Sequence, residues 1–152
     1  MPTLHLVLGT LVVAINAAAG IWGVWCWFKF HPSVFFWRIL RTGQVVLIVQ
    51  VLLGGLLLLM NYEPRDEIHI LYGLLPVAVM FIAEQVRIAS ADAVLTARDL
   101  DSTDDVRSLP EDEQHSVVLA IVRREIGVMA ISALVIAALA LRAADTSGSL
   151  GF

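Results

Sequence analysis

An all-α integral membrane four-helix bundle is the fold class this sequence predicts, and three observations predict it. Over 152 residues the chain is 59% hydrophobic and only 16% charged, with a mean hydropathy of +0.82. A water-soluble domain of this size cannot hide so much apolar surface. A hydrocarbon core about 30 Å thick takes roughly 20 apolar helical residues to cross, and four segments reach that length: about 4–28, 34–60, 68–88 and 117–141. The connections "KFHPS", "NYEPRDE" and "ARDLDSTDDVRSLPEDEQHS" separate them and hold much of the charge. The chain therefore reads as one membrane domain, 1–152, with a tail from 143 to 152.

The first span contains "NAAAG", which could pass for a signal-peptidase site. The preceding "MPTLH" lacks the positive charge of a signal peptide, so this helix is expected to stay. At 100° per residue His5, Gly9, Asn16, Gly20, Gly23 and Trp27 fall on one stripe of it. In the second span Gly43, Gln50, Gly54 and Asn61 make a comparable stripe. Small residues let helices approach closely in lipid, where polar side chains hydrogen-bond across the contact. Asn16 and Gln50 lie at similar depth, and the expectation is that they bond to one another.

The third span, "IHILYGLLPVAVMFIAEQVR", carries Pro76 at its middle. A membrane helix tolerates this, with a kink, when neighbours satisfy the freed carbonyl. His69, Tyr72, Gly73, Pro76, Met80, Ala83, Glu84 and Arg87 share a face about 120° wide, and this is the side expected to pack. Ile70, Leu71, Leu74, Ala78, Phe81 and Ile82 cover the other. Before the last span, Ser108-Leu-Pro-Glu111 matches a capping box with Pro110 in the first turn. That predicts a helix from about 109 to 142, roughly 50 Å long. Helix 3 should likewise continue through "ASADAVLTARD", giving a helical hairpin over 89–116 with an acidic tip.

Charge sets an orientation. Lys29, Arg38 and Arg41 flank the first connection, and Arg87, Arg98, Arg107, Arg123 and Arg124 flank the third. The opposite side has only Arg65 and Arg142. By the positive-inside rule the first and third connections are cytoplasmic and both termini are outside. Trp22, Trp25, Trp27 and Trp37 then mark the inner interface, with Tyr62 and Tyr72 at the outer. One Lys against nine Arg suggests a GC-rich genome rather than a mechanism.

Composition excludes several functions. The lone Cys26 cannot form an internal disulfide or a thiolate cluster, and no basic groove, phosphate loop or zinc spacing is present. Nucleic acid is therefore not an expected partner, and no metal site is expected. "DLDST", 99–103, matches a phosphohydrolase D-x-D-x-T pattern, but it follows a membrane helix rather than a strand, and it reads as a solvated acidic tip. Glu84, Arg87, Arg123 and Arg124, with Glu125, reach about one level near the inner boundary. The leading reading is a structural ion pair from Glu84 to Arg124 or Arg123 that fixes helix register. Anionic lipid at Arg87, Arg123 and Arg124, or a proton path, are the alternatives. A path needs polar groups across the span, and beyond Asn16 and Gln50 the centre is apolar. His5 and His69, both near the outer surface, offer a weaker alternative as axial ligands of a haem b or as part of a quinone pocket. His31 and His115 read as solvated. A small transporter is a further alternative, opposed by the apolar span centres and the lack of a repeat between halves.

The hydropathy layout, the Arg-over-Lys bias and "HILYGLLPVAVMFIAEQVRIASA" in helix 3 give the chain a broader likeness. It resembles the small four-helix accessory proteins of the actinobacterial cytochrome bcc–cytochrome oxidase supercomplex, the respiratory supercomplex association factors. The resemblance covers most of the chain and includes no catalytic motif. It implies a non-enzymatic subunit of a bacterial plasma membrane, without a cofactor, which helps to hold quinol-oxidising and oxygen-reducing complexes together. The expected partners are then membrane lipids and the cytochrome bcc and cytochrome oxidase subunits.

Overall fold

The structure, a computed structural model, describes residues 2–62, 64, 66–100 and 102–146. Expectations that fall on Arg65, Asp101 and the tail beyond 146 lie outside the described residues. Helix takes up 87% of these residues and none is in a strand, so the class is all-α. The elements are α1 (Pro2–Phe28), α2 (Val34–Leu59), α3 (Ile68–Thr96), α4 (Thr103–Ser108) and α5 (Glu111–Thr146). All but α4 are long and apolar enough to cross a membrane.

Three helices end in the same way. His31 N–H donates to Cys26 O, Tyr62 N–H to Leu57 O, and Leu100 N–H to Leu95 O, each across five residues. This is the Schellman closure, which needs a left-handed residue just before the donor. Phe30, Asn61 and Asp99 supply it with φ of 53°, 61° and 56°. Asn and Asp tolerate that conformation, whereas a bulky Phe is an outlier. Asn61 thus lies past the end of α2 and does not extend its packing stripe.

The third connection departs from expectation. α3 stops at Thr96, and the capping box sits on α4: Ser102 Oγ accepts from Asp105 N–H while Ser102 N–H donates to the Asp105 carboxylate at 2.8 Å. Ser108 does not cap α5. Its hydroxyl donates to Asp105 O at 2.7 Å, because Ser108 closes the short helix instead of opening the long one. α5 then begins at Glu111, after Pro110, and at 36 residues spans about 54 Å. α3 runs unbroken through the buried Pro76.

α5 is the central helix. Half of its most apolar stretch is buried, against 22% for α1 and α2 and 11% for α3. It packs along α3 and α1, α1 packs on α2, and α2 touches α3 sparsely. The α1–α5 crossing is made of small residues. Ala19, Ala130 and Ala133 are fully buried, and a methyl on Gly20 would lie 2.5 Å from the Leu134 side chain. A methyl on Gly127 would meet the Trp27 indole at 3.0 Å. Without a hydrophobic drive between helices in lipid, such close approach is what gives the contact its dispersion energy.

The α1–α2 contact is antiparallel and set by glycines facing polar side chains. A methyl on Gly43 would lie 3.1 Å from Asn16 Nδ2, one on Gly9 3.1 Å from Gln50 Nε2, and one on Gly54 3.1 Å from His5 Cε1. Asn16 therefore faces Gly43, while Gln50 faces Gly9, seven positions away on α1. That is about 10 Å along the axis, so the expected Asn16–Gln50 hydrogen bond does not form. Asn16 Nδ2 donates instead to Val12 O at 2.9 Å, within its own helix. Neither side chain turns to lipid: Asn16 is fully buried and Gln50 half-buried. Gly55, by contrast, has nothing within 4 Å of an added methyl. Gly55→Ala is expected to leave stability unchanged or to raise it by up to about 1 kcal/mol, read by detergent-titrated unfolding.

Candidate functional site

Two polar clusters occupy opposite ends of the long helices. The four tryptophans mark one end, and His5 and His69 the other. At the Trp end, α2 places Trp37, Arg41 and Gln44 on one face, four and three residues apart. α3 contributes Glu84 and Arg87 one turn apart, and α5 contributes Glu125. Arg41 Nη1 donates to Glu84 Oε1 and, at 2.6 Å, to Gln44 Oε1. Gln44 Nε2 donates to the same Glu84 oxygen at 3.1 Å. Arg87 Nε donates to Glu84 Oε2 at 2.9 Å, and its Nη1 to Glu125 Oε1 at 2.8 Å. Both guanidiniums lie near the Trp37 ring, at 5.8 and 5.9 Å.

The network runs Arg41–Glu84–Arg87–Glu125 with no net charge, and it ties α2, α3 and α5 together. The side chains of Glu84, Arg87 and Glu125 are only 23%, 24% and 17% exposed, so pairing is what makes their depth tolerable. Three donors occupy the two oxygens of Glu84. That arrangement suits a strut between helices better than a proton relay.

This corrects the sequence expectation in its partners. Glu84 pairs with Arg41 and Arg87, and the group on α5 that faces α3 is the acid Glu125, not Arg123 or Arg124. In the antiparallel frame that sets Arg87 against Glu125 and His69 against Ala143, Glu84 lies opposite position 128, and the side chains of 123 and 124 point out of the contact. Arg123 is exposed, with its guanidinium 3.6 Å over the Phe30 ring, and Arg124 is exposed. From sequence, Glu125 stands at the level of this cluster without a partner and Arg41 counts only toward orientation; Gln44 was missed. The spacing of Trp37, Arg41 and Gln44 on one face of a span was the available signal.

At the His end, the rings of His5 and His69 meet edge to face with centroids 6.1 Å apart. His69 Nδ1–H donates to Ala143 O at 2.8 Å, and His5 Nε2 lies 3.3 Å from Gln50 Nε2. His5 Nδ1 and Gln50 Oε1 are buried without a hydrogen-bond partner among the described residues. Axial ligation of a haem does not fit this arrangement. Gln50 covers one ring nitrogen of His5 and the protein encloses the other, so neither opens on a slot that would admit a macrocycle. No group of three or more metal-ligating side chains occurs among the described residues. His31 and His115 are exposed.

No protein-family model, no curated protein and no solved structure matches the chain.

Proposed function

We propose that this chain is a non-catalytic, multi-pass subunit of a larger plasma-membrane assembly, acting by association. Its four spans form a bundle with both termini outside and the 89–116 segment in the cytoplasm. The single observation that carries the reading is how the polar groups are spent. Arg41, Glu84, Arg87 and Glu125 are committed to one internal strut, while α2 and α3 keep wide apolar outer faces. Val45, Ile48, Val49 and Leu52 on α2 and Leu71, Leu74, Phe81 and Ile82 on α3 are all exposed. Faces of this kind meet lipid or other membrane helices.

The respiratory assignment, an accessory subunit between quinol-oxidising and oxygen-reducing complexes, is supported by the sequence resemblance alone. Affinity purification of the tagged protein from its native membrane in mild detergent, with mass spectrometry of what accompanies it, tests both levels. Stoichiometric cytochrome bcc and oxidase subunits are the expected result. Other membrane subunits in stoichiometric amounts would keep the associative role and remove the respiratory one. A lone, homogeneous protein would overturn both. Removing 146–152 is expected to weaken co-purification if the tail takes part.

A further inference from the structure

Basic side chains at the Trp end divide into two groups. Arg41 and Arg87 are consumed by the strut, whereas Lys29, Arg38, Arg123 and Arg124 make no ion pair with a described residue. Of the second group, Arg123 lines a groove. One wall is the α1–α2 connection at Phe30 and Pro32; the other is the face of α5 bearing Leu119, Val122 and Ile126. The same groove opens outward along α5 past Ser116, His115 and Asp112.

Phe30 holds the strained left-handed conformation described above, and that conformation sets its ring under the Arg123 guanidinium. The guanidinium rests on the ring at 3.6 Å, and its N–H groups have no hydrogen-bond acceptor among the described residues. An unsatisfied guanidinium is matched in shape and charge by two oxygens of a phosphate. The depth is right for a headgroup, since Arg123 lies about one turn outside Gly127, where the Trp27 indole packs, and Trp side chains favour the membrane–water interface. On the span side of Arg123 the wall continues with Ile126, where an acyl chain would start, while Leu119 and Val122 flank the guanidinium on its outer side. Asp112 stands eleven residues away on α5, about 16 Å along the axis, clear of a phosphate on Arg123.

We propose that the groove between Phe30 and α5 holds one anionic phospholipid, with Arg123 binding its phosphate and Ile126, about one turn deeper on α5, meeting the start of its chain. The inference rests on the chain spanning a membrane and not on which partners it has, so a failed co-purification leaves it standing.

Native mass spectrometry of the purified protein with added dioleoyl phosphatidylglycerol or phosphatidylcholine tests it. The wild type is expected to retain phosphatidylglycerol preferentially. Arg123→Gln is expected to lower that occupancy about five-fold, and Phe30→Ala, which unseats the fork, to lower it as well. Arg124→Gln removes the same charge from the neighbouring position outside the groove and is expected to change little. Equal losses in the Arg123 and Arg124 variants would reduce the effect to diffuse charge and overturn the site. So would equal retention of the two lipids, or displacement of the lipid by inorganic phosphate, which would point to a soluble anion.

Discussion

Gly23→Val is expected to be the most disruptive substitution in the helix core. A single methyl at Gly23 would already lie 2.4 Å from Phe36 Cε2 and 2.7 Å from Ala130 Cβ. Those atoms belong to α2 and α5, so α1 cannot relieve one clash without worsening the other. Phe36 is itself fully buried and has no free rotamer to retreat into. Overpacking a tight core costs typically about 1–3 kcal/mol; wedging three helices at once places Gly23→Val at or above the upper end, with Gly23→Ala below it. Gly9→Ala should be milder, because the nearest atom there is the far end of the Gln50 side chain, at 3.1 Å. Unfolding titrations in mixed micelles rank the set. If Gly23→Val proved as stable as Gly55→Ala, the three-helix contact at Gly23 would be wrong.

Much of the fold was legible because membrane spans obey simple rules of length and composition. The four expected segments fall within α1, α2, α3 and α5 to within a residue or two wherever a span ends at a turn. The packed face of α3 was also readable: Pro76 and Ala83 are buried while Leu71, Leu74, Phe81 and Ile82 are exposed. Register was not readable. Similar depth suggested that Asn16 and Gln50 meet, but depth along one axis cannot show an offset of seven residues between antiparallel helices. The same blindness paired Glu84 with Arg123 or Arg124, when the actual frame is shifted by four or five positions and sets Glu125 against Arg87. In the acidic connection the motif S-x-x-E at 108–111 competed with S-x-x-D at 102–105, and the second won because a short helix intervenes. Sequence gave the faces of the helices and only the contacts between them chose the partners.

Glu84→Leu is the second substitution expected to act strongly, and for an electrostatic reason. It would leave Arg41 with the neutral Gln44 alone and Arg87 with Glu125 alone, two guanidiniums against one carboxylate. Breaking a buried pair by removing one partner costs about 3–5 kcal/mol. Some discount applies here, since Arg41 is 48% exposed and can turn toward water or headgroups. The 24% exposed Arg87 cannot do so as freely, though it keeps Glu125. The expected loss is therefore roughly 2–4 kcal/mol, measured by unfolding titration in micelles, with weakened α2–α3 proximity in a cysteine cross-linking assay. Glu84→Gln keeps an acceptor and should fall between. Charge imbalance, rather than lost packing, is the cause only if removing a cation restores stability. The double variant Glu84→Leu/Arg41→Leu is accordingly expected to regain part of the loss, because replacing a whole ion pair by apolar side chains is often nearly neutral. A double variant no more stable than the sum of its parts would show that Glu84 acts mainly through Gln44 and Arg87, and that the link from α2 is the hydrogen bond at 3.1 Å and not the Arg41 charge.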